Sequence, residues 1–191
     1  MKPPPSLRLF LALYPSQPWI DAAGACLPLA ELPDGRSTPS EQLHLTLAFI
    51  GDRRESDVPR IVESMQAAVA GLRTFDVQTT GLALLPEAGP PRLIAASLTL
   101  PPALFEVQRR LARRLVSERA SKRSEYTPHI TLYRFAHEQA GADARAKLEA
   151  QLPPVYLPTF RASEVCLVAS VLHPLGARHK IVERVPVGDA R

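Results

Sequence analysis

The chain has 191 residues, 46% of them apolar and 22% charged, and a formal net charge of +4 at pH 7. That balance excludes a disordered or fibrous chain, and the length suits one sizeable domain or two tightly packed lobes. Two cysteines, Cys26 and Cys166, with no C-x-x-C pair, exclude a disulfide framework and a cysteine-based zinc site. The apolar stretch at residues 7–13 is too short for a secretory signal, and no run approaches the roughly 18 apolar residues of a membrane span. The expectation is a soluble, cytoplasmic monomer without a membrane partner. The mild positive charge leans toward polyanionic partners such as RNA.

In chain order, residues 7–14 form a short apolar run stopped by Pro15, which predicts a strand. Residues 16–30 read as a helix and 32–40 as a polar loop. Residues 43–50 are a second strand, closed by Gly51-Asp52. Ser56 or Asp57 can cap the next helix, with Pro59 in its first turn and Ile61, Met65, Val69 and Leu72 at helical spacing. Residues 75–85 read as a strand broken at Gly81, and residues 92–100 as another. A strong helix over 103–120 buries Leu104, Val107, Leu111 and Leu115 and turns most of its arginines outward. Residues 129–135 are again a strand, 138–151 a helix, and 160–170 and 178–187 a final hairpin turning at 173–176.

One phrase occurs twice. His44-Leu45-Thr46-Leu47 returns 85 residues later as His129-Ile130-Thr131-Leu132. Side chains two apart on a strand share a face, so each strand offers an imidazole and a hydroxyl side by side. On the first strand Leu43, Leu45, Leu47 and Phe49 are expected on the opposite face; on the second, Ile130 and Leu132. The same lag carries residues 7–14 onto a strand at 92–99, and Phe75 onto Phe160. Residues 1–191 therefore read as a single two-lobed domain with internal duplication, the His44 and His129 motifs related by a pseudo-twofold axis across a central cleft. The remaining histidines, His137, His173 and His179, have no partner motif and read as loop or strand-surface residues, and nothing in the spacing supplies a metal site.

Paired H-x-T motifs of this kind resemble the two-histidine phosphoesterases. Within them the chain is most similar to the bacterial and archaeal RNA 2′,3′-cyclic phosphodiesterases, also called 2′-5′ RNA ligases (LigT-like). The resemblance spans nearly the whole chain. It includes Leu7-Arg8-Leu9-Phe10-Leu11-Ala12, Gln42-Leu43-His44-Leu45-Thr46-Leu47 through Gly51, Pro128-His129-Ile130-Thr131-Leu132-Tyr133-Arg134, and Gly176-Ala177-Arg178.

It implies an α+β, bilobal, duplicated LigT-like fold, with two antiparallel or mixed sheets and outer helices around a central cleft. It also implies an enzyme that opens a 2′,3′-cyclic phosphate at an RNA end to a 2′-phosphate, with no metal and no cofactor. By motif position His44 is the proton donor and His129 the proton acceptor, which asks for a charged His44 and a neutral His129 near pH 7. Thr46 and Thr131 hydrogen-bond the phosphate oxygens.

Arg134 and Phe10 are the substrate-binding candidates. A regular strand turns Arg134 away from His129, and only a bulge or an early strand end brings it into the cleft; otherwise it is a surface arginine. Phe10 lines the cleft floor or is simply core. Where relatives carry an aromatic after the arginine matching Arg92, this chain has Leu93-Ile94-Ala95-Ala96, which leaves base preference open. Other readings remain: a phosphodiesterase for a small cyclic nucleotide or an ADP-ribose cyclic phosphate, a 2′-5′ ligase running in reverse, or an RNA-binding module without turnover.

Overall fold

In this computed structural model, residues 6–27, 31–99, 101–116, 126–139, 143–171 and 177–188 are described. In chain order the elements are β1 (Ser6–Leu13), α1 (Gln17–Gly24), β2 (Gly35–Ser37), β3 (Leu45–Arg54), α2 (Val58–Val69), β4 (Phe75–Val77) and β5 (Thr79–Leu85). There follow β6 (Leu93–Leu98), α3 (Pro102–Leu115), β7 (His129–Phe135), α4 (Ala144–Gln151), β8 (Phe160–Ala162), β9 (Glu164–Val171) and β10 (Arg178–Pro186). The α+β architecture is the expected one.

Eight strands make one sheet in the order β10-β9-β1-β3-β7-β6-β5, with β2 laid beside β7, while β4 and β8 form a separate pair. All the ladders are antiparallel. The two arms of the large sheet, β10-β9-β1-β3 and β7-β6-β5, touch through a single residue pair in register, Leu45 with Ile130.

One face of the sheet is covered by helices. Leu9, Leu11 and Leu13 of β1 enter this core, as do Leu45 and Leu47 of β3 and Ile130 of β7. Across from them pack Trp19 of α1, Ile61, Met65 and Val69 of α2, and Leu104, Val107 and Leu111 of α3. Strand alternation sends Phe10 and Ala12 to the opposite face, where they meet Cys166 and Val168 of β9. β1 is thus apolar on both faces, which explains its unbroken apolar run. α3 starts on Pro102 and ends with Arg113 and Arg114 in its last turn, a sequence suited to the helix dipole. Its Arg109 and Arg110 pair with Glu106 on the outside of the helix, on the core side of the sheet.

Several element boundaries differ from the sequence expectation. The run at 75–85 divides at Gln78 and the run at 160–170 at Ser163, each handing the chain from the small sheet to the large one. The second strand does not close at Gly51 but continues to Arg54. Gly51 adopts φ 81° beside a bulge at Ile50, a conformation glycine takes without strain. Asp57 occupies the helix-cap position of α2, but its carboxylate accepts the Arg54 backbone N–H, 3.1 Å away, one turn earlier. The helix expected over 16–30 ends at Gly24. The strong helix ends at Leu115. The turn at 173–176 and His173 lie outside the described residues.

Leu45 and Ile130 are both 0% exposed. Replacing either by alanine leaves a cavity at the junction between the arms, and is expected to lower unfolding stability by about 2–5 kcal/mol. Chemical denaturation of the two variants measures this.

Candidate active site

The Leu45–Ile130 pair decides where the two H-x-T motifs go. With both apolar side chains committed to the helix-covered core, the residues one step either side must face the other way. Counting outward along antiparallel strands, His44 stands opposite Thr131, and Thr46 opposite His129. The two histidines are diagonal neighbours, with backbones roughly 7–8 Å apart. His44 senses the charge of His129 directly. Two imidazoles and two hydroxyls, from strands far apart in sequence, thus share one patch. On the outer side of each threonine the adjoining strand carries an alanine, Ala12 beside Thr46 and Ala95 beside Thr131, which keeps the floor low.

Bulges then select what borders the patch. In β7 the pairing with β6 slips between Thr131 and Tyr133, leaving Leu132 as the extra residue. Arg134 therefore comes round to the face of His129 and Thr131 rather than to the opposite one. β3 slips in the same manner against β1 between Thr46 and Ala48, so Phe49 aligns with Phe10 on the site face. This corrects the expectation that Phe49 lies with Leu43, Leu45 and Leu47. Phe49 is 66% exposed, while the three leucines are buried. The strands run in opposite directions from their shared pair, so Phe49 borders one end of the patch and Arg134 the other.

Both imidazoles are held alike. His44 Nδ1 lies 2.6 Å from the Gln42 carbonyl oxygen and His129 Nδ1 lies 2.8 Å from that of Thr127. A carbonyl only accepts, so each Nδ1 carries its proton and donates it, and each Nε2 presents a lone pair when the ring is neutral. The Thr46 hydroxyl, 3.2 Å from His44 Nε2, donates to that lone pair.

The rings differ in their surroundings. His44 packs against Phe10, with centroids 5.0 Å apart, and more loosely against Tyr14 at 5.9 Å. Burial drives its pKa down to about 4; the Gln42 carbonyl opposes the shift, and repulsion from His179 and His129 adds to it. Burial thus works against the charged His44 that its motif position asks for. Among the described residues no carboxylate is paired with this imidazole to offset its lost hydration, so burial favours the neutral ring.

Three side chains at the site were not singled out from sequence. His179 of β10, expected on a strand surface, instead sits edge-on to His44 with centroids 5.0 Å apart and touches Phe10 at 4.9 Å. Its Nδ1 is buried and has no hydrogen-bond partner among the described residues. Tyr126 donates from its hydroxyl to the Thr46 carbonyl at 3.1 Å, tying the segment before β7 to β3. Arg36 of β2 is in register with Arg134. Phe10 does reach the site, but at 3% exposure it supports the rings of His44, Phe49 and His179 from below. His137 is exposed, as expected. Among the described residues no group of three His, Cys, Asp or Glu side chains is placed to hold a metal ion, and no helix is long and apolar enough to cross a membrane.

Two imidazoles, each held through Nδ1 by a backbone carbonyl and each two residues from a threonine on the same strand, are an arrangement suited to acid–base chemistry on a phosphoester. The 2′-5′ RNA ligase superfamily model matches residues 15–173, and the chain belongs to that superfamily. Among curated relatives, it is 29% identical over 136 residues to the RNA 2′,3′-cyclic phosphodiesterase of Methanothermobacter thermautotrophicus, covering 71% of this chain and 73% of the relative. It is 25% identical over 144 residues to the protein of the same name from Thermotoga maritima, covering 74% of each. Among solved structures, TT0787 of Thermus thermophilus superposes with a TM-score of 0.74 at 25% identity, covering 95% of this chain and 98% of that one. E. coli LigT complexed with 3′-AMP shares the fold, with a TM-score of 0.75 at 20% identity, covering 97% and 100%.

The lowered His44 pKa has a consequence for stability. Below the ordinary value of 6.5 the unfolded chain protonates this histidine, whereas the folded protein resists until about pH 4. Stability is therefore lost as pH falls through that window and is fully present above it. His44→Gln should flatten the slope of melting temperature against pH between about 6.5 and 4, relative to the parent protein.

Proposed function

We propose that this protein hydrolyses RNA 2′,3′-cyclic phosphate ends to 2′-phosphates, using His44 and His129 as a proton donor and acceptor pair without a metal. The observation that carries this reading is the junction at Leu45 and Ile130, which sets two identically held imidazoles on either side of one small patch. The family membership and the names of the curated relatives support it.

In the proposed step a water oxygen attacks phosphorus in line with the ester bond to O3′. His129 Nε2 takes the water proton, the P–O3′ bond breaks, and His44 Nε2–H gives its proton to the departing O3′. Thr46 and Thr131 turn their hydroxyls to the non-bridging oxygens as negative charge builds there. Both proton transfers are supplied by imidazoles, so the chemistry needs no Lewis acid. Phe49 offers an exposed aromatic face and Arg134 a guanidinium at the two ends of the patch, suited to a nucleotide's base and phosphate. The same groups serve the reverse step, joining RNA ends through a 2′-5′ bond, which the superfamily's name favours as a second activity. We read the two motif-bearing arms as copies of one ancestral unit.

A His44 that burial holds neutral in the free protein fits the donor role once substrate is bound. A cyclic phosphodiester brings a negative charge beside the rings and favours the protonated form of His44, against the effect of its burial. The pair titrates as a unit, so the pH–rate profile is bell-shaped. The limb that reports His44 is expected at higher pH in kcat than in kcat/KM, which reports the free enzyme. Limbs that coincide would exclude protonation by bound substrate.

The direct test is an oligoribonucleotide ending in a 2′,3′-cyclic phosphate, incubated in EDTA, with the position of the product phosphate identified. His44→Ala and His129→Ala should each slow turnover by about 10²–10⁴. Thr46→Val and Thr131→Val should cost less, about 10–10³. Near-parental turnover in both histidine variants rules the mechanism out.

A further inference from the structure

Three rings close a triangle beside the patch. Between centroids, Phe10 lies 5.0 Å from His44 and 4.9 Å from His179, and the two imidazoles are 5.0 Å apart, edge to face at 79°. β10 and β3 are separated in the sheet by β9 and β1, and Phe10 of β1 is the surface on which their histidines meet. His44 satisfies its ring nitrogens locally, through the Gln42 carbonyl and the Thr46 hydroxyl. His179 does not: its Nδ1 is buried without a hydrogen-bond partner among the described residues.

Packing alone gives no reason for an imidazole at position 179. A phenyl ring has nearly the same shape and no polar atom to desolvate. Replacing an unsatisfied buried polar group by an apolar one of like shape is close to neutral, or stabilising. What an imidazole adds is the ability to take up a proton near neutral pH.

If both rings carried that proton they would be like charges with centroids 5.0 Å apart. The groups around them offer no relief. Tyr14 of β1 and Cys166 of β9 stay neutral, since burial pushes each up to about 12. Glu164 of β9 and Arg184 of β10, beside Cys166, pair with each other. On β10, strand alternation turns Arg178 and Lys180 to the face opposite His179. The cross-strand row of His179 continues through Ser170 to Arg8 of β1 and Asp52 of β3, but the charges that act on His44 are those of His179 and of His129 on β7. Burial disfavours the charged form of both His44 and His179, and a proton on either repels one from the other.

We propose that His179 is a positioning residue for the proton donor: His44 and His179 compete for one proton, and His179 thereby sets the pH at which His44 is charged. This role rests on the donor assignment proposed above. His179 acts through His44 and not on the substrate. A charged His179 opposes protonation of His44, so removing the His179 charge lets His44 become charged at higher pH.

The test is an NMR titration of the His44 ring in the free protein, with its signal identified by loss in His44→Gln. His179→Phe keeps a ring against Phe10 and His179→Gln removes it, and neither new side chain titrates. In both variants the His44 midpoint should rise by about one pH unit, the size of a like-charge interaction at this separation in a partly solvated site. The limb of kcat/KM that reports His44, measured on the cyclic-phosphate oligoribonucleotide, should move upward with it. A role in packing alone would change the rate and leave midpoint and limb in place. A midpoint unmoved in both variants overturns the competition while leaving the phosphodiesterase reading intact. A midpoint that rises in a protein whose parent does not turn over the oligoribonucleotide keeps the competition and overturns the donor role.

Discussion

A single cross-strand contact organises this protein. Among the described residues, Leu45 and Ile130 are the only ones through which the two arms of the large sheet pair, and both are fully buried beneath the helices. Strand parity does the rest, since burying these two side chains forces their neighbours onto the open face. The diagonal arrangement of histidines and threonines follows from antiparallel direction alone. Tyr126 reinforces the junction from the side by bonding to the Thr46 carbonyl. Beyond the pair the strands part company, and the space this opens along β7 is filled by β2, with Arg36 in register with Arg134.

The electrostatic character of the site follows from what surrounds the rings. His44 has aromatic neighbours, a backbone carbonyl on Nδ1 and two other imidazoles nearby, and among the described residues no carboxylate pairs with it to favour its charged form. Arg134 repeats the theme, a half-buried cation set beside the like charge of Arg36. A site of this kind favours the entry of a negative group. In the proposed mechanism, substrate binding and the protonation of His44 are then one coupled event rather than two.

Much of this was legible in the residues. The repeated H-x-T phrase, its strand setting and the face it shares needed only the two-residue period of a strand. Helices α2 and α3 announced their buried stripes by spacing. What escaped the reading did so for identifiable reasons. Phe49 and Arg134 both lie three residues past a motif threonine, and an even two-residue period assigns each to the wrong face; the bulges in β3 and β7 reverse that assignment. β2 was invisible because a three-residue strand of Gly35, Arg36 and Ser37 has no apolar pattern, and its existence depends on docking to β7. The one available signal was Gly35 itself, and glycine in a polar loop has many other causes. His179 lacked a motif because its partner, His44, is distant in the chain and meets it only through the β10-β9-β1-β3 order.

The order of residues alone determined which side chains could act and which faces they shared within a strand, because those properties depend on chemistry and on a local repeat. It also determined the helices, whose apolar stripes are likewise local. Tertiary structure alone decided which strands became neighbours, where bulges reset their parity, and how far burial suppressed the charge on His44. Each of these arises from contacts between segments remote in sequence, and a linear pattern carries no direct record of the water and carbonyl groups that such contacts exclude or supply.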